Sequence, residues 1–150
     1  LQLRHVLEQL LDIYEGDTVT INLENGGTVT GEPQALYPDA DSAGLLELDN
    51  DQYVSLCNLA SLKIPGATYD DSIDYLPVPD PLPEGCSVDC EEAIRAKLTE
   101  GSSAQIRAGG QVVANDTVVK SAFGMIVTAG TNGINPTFIS TCQIEAFTLD

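Results

Sequence analysis

Five of the chain's eight prolines, Pro65, Pro77, Pro79, Pro81 and Pro83, crowd into one stretch across the middle of the chain. Proline offers no backbone N–H and fixes φ, so neither a helix interior nor a central strand runs through such a stretch. An extended, polyproline-like spacer is expected there, made acidic by Asp70, Asp71 and Asp74. The stretch therefore divides the chain into residues 1–65, a linker over 66–88, and a second unit over 89–150. Tyr69, Tyr75 and Leu76 leave the alternative that the segment packs along one of the units.

The first unit changes its hydrophobic period once. Leu3, Val6, Leu7, Leu10, Leu11 and Tyr14 recur at three and four residues, the spacing of one helix face, and Gly16 follows where such a helix stops. From there the period is two: Val19, Ile21 and Leu23 alternate with polar residues. Asn25-Gly26-Gly27 is a turn signal, since these residues tolerate positive φ. Short strands are then expected over 28–31, 44–48, 52–57 and 59–64, with Pro33 and Pro38 marking an edge or bulge.

A helix followed by about five short strands resembles the Sm-like small β-barrel. The resemblance rests on the helix ending at Gly16, on Val19-Thr20-Ile21-Asn22-Leu23, on Asn25-Gly26-Gly27 and Gly31, on Leu45-Leu46-Glu47-Leu48-Asp49-Asn50, and on residues 53–65. It covers less than half of the chain. It implies a small barrel whose last strands pair edge to edge in rings. The RNA-binding role of that family does not carry over: the connection Leu56-Cys57-Asn58-Leu59 holds no Lys, Arg or His.

The second unit opens with a helix capped by Asp89, with Glu91 and Glu92 in its favourable first turn and Gly101 at its end. Strands are expected over 104–108, 111–114, 117–119, 123–128 and 137–149, giving a β-sandwich or β-sheet unit. The fold class is thus mostly β with two short helices. No internal repeat stands out between the halves. Along 137–149 both faces carry apolar groups, so that strand either lies between two layers or meets another subunit. Val118, Ile126, Ile139, Ile144 and Phe147 are the candidate assembly interface, because bare neutral strands are usually protected unless another chain covers them.

Charge narrows the function. The net charge is -17, with 23 acidic against 6 basic residues, and only three acidic and two basic residues lie beyond residue 100. Such a field repels nucleic acid and anionic membrane surfaces. No apolar run is long enough to span a bilayer. The chain begins without Met, so a removed signal or pro-segment is open.

Catalytic constellations are lacking. The single histidine, His5, has no nucleophile and acid at motif spacing, and no phosphate-binding glycine motif is present. Cys57, Cys86, Cys90 and Cys142 lack a second close pair for zinc and form no Cys-x-x-Cys, which favours disulfides, within or between chains. Asp39 and Asp41 resemble the start of a calcium loop, but Ala43 and Asn50 stand where oxygen ligands are needed. No cofactor is expected beyond that weak calcium candidate.

The expectation is a non-enzymatic subunit that assembles with itself into an extracellular or spore- or cell-surface fibre, appendage or layer by β-edge pairing, with disulfides locking the product. The alternatives are an Sm-like ring-forming module that binds a protein or small ligand, and a phage virion component.

Overall fold

The structure is a computed structural model that describes residues 2–38, 43–82 and 88–150. Strands predominate, with two helices. Helix α1 (Gln2–Ile13) buries Val6, Leu7 and Leu10 on one face, as the spacing predicts. Strands β1 (Val19–Leu23), β2 (Thr28–Gly31), β3 (Pro33–Tyr37), β4 (Leu45–Leu48) and β5 (Tyr53–Ser55) follow. A 3-10 turn (Leu56–Asn58) leads into β6 (Leu59–Lys63). The second half holds α2 (Val88–Lys97), β7 (Ser103–Ala108), β8 (Gln111–Ala122), β9 (Met125–Ala129) and β10 (Thr137–Ser140). A 3-10 turn (Thr141–Gln143) then leads into β11 (Ile144–Leu149).

The division into two separately folded sheets is corrected. One eight-stranded antiparallel sheet runs β11-β7-β8-β9-β10-β6-β1-β2 through both halves. The seam is β6 against β10, where Lys63, Leu62 and Ser61 face Thr137, Phe138 and Ile139. The remaining strands, β3-β4-β5, form their own sheet. The described strands therefore make neither a closed barrel in the first half nor a self-contained sandwich in the second.

The stretch expected to be a spacer is a strap over residues 66–76. Ile73 is buried in the first core. The Tyr14 hydroxyl donates to the Thr68 carbonyl at 2.8 Å and accepts from the Asp70 amide at 2.9 Å. Gln2 pairs with Leu76 in both directions, at 2.7 and 3.0 Å. Proline does exclude regular structure here, but an extended backbone still offers carbonyls and amides, and polar side chains of α1 and of Tyr14 just after it take them.

Segment 137–149 is likewise not one strand. Its 3-10 turn moves the chain from β10 inside the sheet to β11 at its rim. The two apolar faces of the central strands have a simple cause. Successive residues point to opposite faces, and both faces are covered. Leu62, Val127 and Phe138 enter one core beneath α1, while Ala60, Ile126 and Ile139 enter a second core with Leu98 and Ile106.

An internal repeat is present, contrary to the sequence reading. Tyr53-Val54-Ser55-Leu56-Cys57-Asn58-Leu59 runs strand, 3-10 turn, strand, and so does Phe138-Ile139-Ser140-Thr141-Cys142-Gln143-Ile144. The pairing registers repeat as well. Leu46 faces Val54 as Ile126 faces Ile139. Ile21 faces Leu62 as Ile106 faces Phe147. Strand β8 does in one piece what β2 and β3 do in two: it pairs with β7 and then with β9.

Candidate assembly edges

A sheet edge is a row of unpaired amides and carbonyls, ready to pair with another chain unless something covers it. The two sheets have four edges: β2, β3, β5 and β11.

Two edges are guarded. On β2, the Asn50 side-chain amide donates to the Thr30 carbonyl at 3.2 Å. Just beyond it, the Glu32 amide donates to the Asp49 carboxylate at 2.9 Å, and the Asp49 amide donates to the Glu32 carbonyl at 2.9 Å. Strand β3 begins at Pro33 and ends beside Pro38. Arg4 of α1 donates to the Pro38 carbonyl at 2.6 Å and to the Ala43 carbonyl at 3.4 Å. Proline and a covering helix are standard protections.

Among the described residues, strands β5 and β11 carry no such cover. Backbone groups alternate direction along an antiparallel strand. The Asp150 amide donates to Ser103 beside β7, so Thr148 and Ala146 also face β7, and Phe147 and Leu149 turn outward. On β5, the Gln52 carbonyl accepts from Leu48 and the Leu56 amide donates to Gly44. Val54 therefore faces β4, and Tyr53 and Ser55 turn outward. Large apolar side chains accompany both edges: Tyr53 is 57% exposed and Leu149 45%.

Four of the five residues expected to form the interface lie inside the chain, and only Phe147 stands on an open edge. Val118, Ile126, Ile139 and Ile144 are buried in the chain's own second core, and Phe147 packs half-buried against it. Residues 118, 126 and 139 belong to strands β8, β9 and β10, which are paired on both sides. Their bare apolar faces meet each other and α2, leaving no surface for a neighbouring copy. Sequence reasoning missed β5 because alternation alone does not reveal which strand ends a sheet. The recurring Ser-x-Cys pair at Ser55–Cys57 and Ser140–Cys142 was the available signal.

The cysteines divide. Cys142 is disulfide-bonded, Cys57 and Cys90 are exposed free thiols, and Cys86 lies outside the described residues. Asp39 and Asp41, the calcium candidates, lie outside them too. Among the described residues no group of three His, Cys, Asp or Glu gathers as a metal requires. His5 faces the Asp74 carboxylate at 3.0 Å on the surface, which ties α1 to the strap.

The perturbed titrations are structural. Burial, and the hydrogen bond between their hydroxyls at 2.7 Å, involve Tyr69 and Tyr75 in one cluster; burial is the first cause raising both. Tyr14, beneath the strap, is raised chiefly by burial. Tyr53 is raised by its hydrogen bond to the Glu47 carboxylate. Asp70 is lowered because the Ser72 hydroxyl and amide both donate to it.

No family model matches the chain, and no curated protein or solved structure matches it. No helix among the described residues is long and apolar enough to cross a membrane.

Proposed function

We propose that this chain is a non-enzymatic structural subunit that assembles with copies of itself by β-edge pairing, as part of an extracellular or surface fibre, appendage or layer. The observation that carries the reading is the asymmetry among the four edges. Two are guarded by side-chain hydrogen bonds, prolines and a helix; two present unpaired backbone beside exposed Tyr53 and Leu149. A disulfide at Cys142 suits an oxidising exterior, where such bonds persist. Negative-stain electron microscopy with light scattering tests it. The reading predicts defined particles or filaments that grow with concentration. A monomer throughout contradicts it.

A second reading, an Sm-like ring-forming module that binds a protein or small ligand, is favoured by the repeated order of helix and short strands. It requires a closed ring of fixed mass, independent of concentration once formed, where the first reading allows open growth.

A further inference from the structure

Resting on the self-assembly reading, we infer that copies join head to tail, β11 of one to β5 of the next, in the register of the β6–β10 seam inside each chain. The internal repeat equates β5 with β10 and β6 with β11. Inside the chain, the first half's β6 is already paired with the second half's β10. The equivalent partners left over are the open edges, β5 at one end and β11 at the other. Each chain thus contains one copy of the joint and half of two more.

The register follows. In the seam Leu62 faces Phe138 and Lys63 faces Thr137. The equivalents place Phe147 opposite Tyr53 and Thr148 opposite Gln52. Backbone direction gives an independent check. The Ile64 amide donates to the Pro136 carbonyl, so Leu62 and Phe138 point their backbone groups at each other. Phe147 and Tyr53 are the very residues whose groups turn outward at the open edges. A register slipped by one residue would oppose inward-turned groups and form no ladder.

Burial agrees. Leu62 is 1% exposed and Phe138 0%, whereas Tyr53 and Phe147 remain uncovered in whole or part. The joint is heterologous, joining two different edges, so it closes into a ring or continues as a filament according to the rotation at each step.

Cross-linking tests it in the full chain, with the exposed thiols removed as Cys57→Ser and Cys90→Ser. One preparation carries Gln52→Cys and another Thr148→Cys; the two are mixed under mild oxidation. Opposed positions of a non-hydrogen-bonded pair lie within disulfide reach. The expected product is the mixed dimer, with little of either like dimer, and a ladder from a chain carrying both changes. Assembled particles that yield like dimers, or no cross-link, overturn the head-to-tail joint while the self-assembly reading stands. Monomers at every concentration overturn both. Amide exchange on the unsubstituted chain guards against misfolded variants. Tyr53, Phe147 and Leu149 should gain protection together on assembly; protection at Thr28 and Thr30 instead overturns the inference.

Discussion

Leu62 and Phe138 face each other across the β6–β10 seam, one from each half of the chain, and neither is exposed beyond 1%. Their contact makes one sheet of two repeated units. It also places side chains from β9 and β10 in the core beneath α1, so neither half has a complete core of its own.

Phe138→Ala should therefore weaken the whole molecule. Removing a buried Phe side chain costs about 3–5 kcal/mol. Urea unfolding followed by circular dichroism should keep one transition and move it to lower denaturant. Two separate transitions, with only the second-half signal shifted, would mean that the halves fold independently.

Gly109 marks a second close approach between the halves, against Leu23 and Ala60. Its φ is +60°, and a Cβ there would lie 2.4 Å from the Leu23 carbonyl oxygen. Gly109→Ala should cost about 1–2 kcal/mol for the left-handed conformation alone, with the clash added. Gly110→Ala has positive φ but open space around it, so its loss in a thermal melt should be smaller.

The seam and its repeat show where sequence reading stops. The helix α1, the Asn25-Gly26-Gly27 turn and the short strands were legible, because period and turn chemistry are local. The seam was not, because apolar residues such as Ile126 and Ile139 signal a covered face without saying what covers it. The chain's own second core covers them. The strap was half legible: its prolines exclude helix and sheet, but its hydrogen bonds depend on Gln2, Gln9 and Tyr14, more than fifty residues away. The repeat was hidden by substitution: Leu48, Leu59 and Leu62 in one half correspond to Thr128, Ile144 and Phe147 in the other.

Native alkylation of the unreduced protein should label Cys57 and Cys90 and spare Cys142. Peptide mass mapping reads this directly. Label on Cys142 before reduction would contradict its place in a disulfide.

The tyrosine cluster predicts an alkaline limit. Tyr69 and Tyr75 are raised in the folded state from the ordinary 10.0, so at high pH the unfolded chain loses protons more readily. Stability is fully present below about pH 10 and falls as pH rises above it. Tyr75→Phe should blunt that fall in a pH series of thermal melts. An unchanged alkaline slope would show that the cluster is not its source.

Sedimentation velocity over a dilution series, at low and moderate salt, tests self-assembly most directly. The net charge of -17 makes copies repel, and salt screens that repulsion over a Debye length of about 8 Å at physiological strength. The edge-pairing account predicts species larger than the monomer that dissociate on dilution and grow with salt. It also predicts that Leu149→Pro, which removes an outward-turned amide and no β7 pairing, stays monomeric with its fold intact. A single monomer boundary for the unsubstituted chain at every concentration and salt would contradict it.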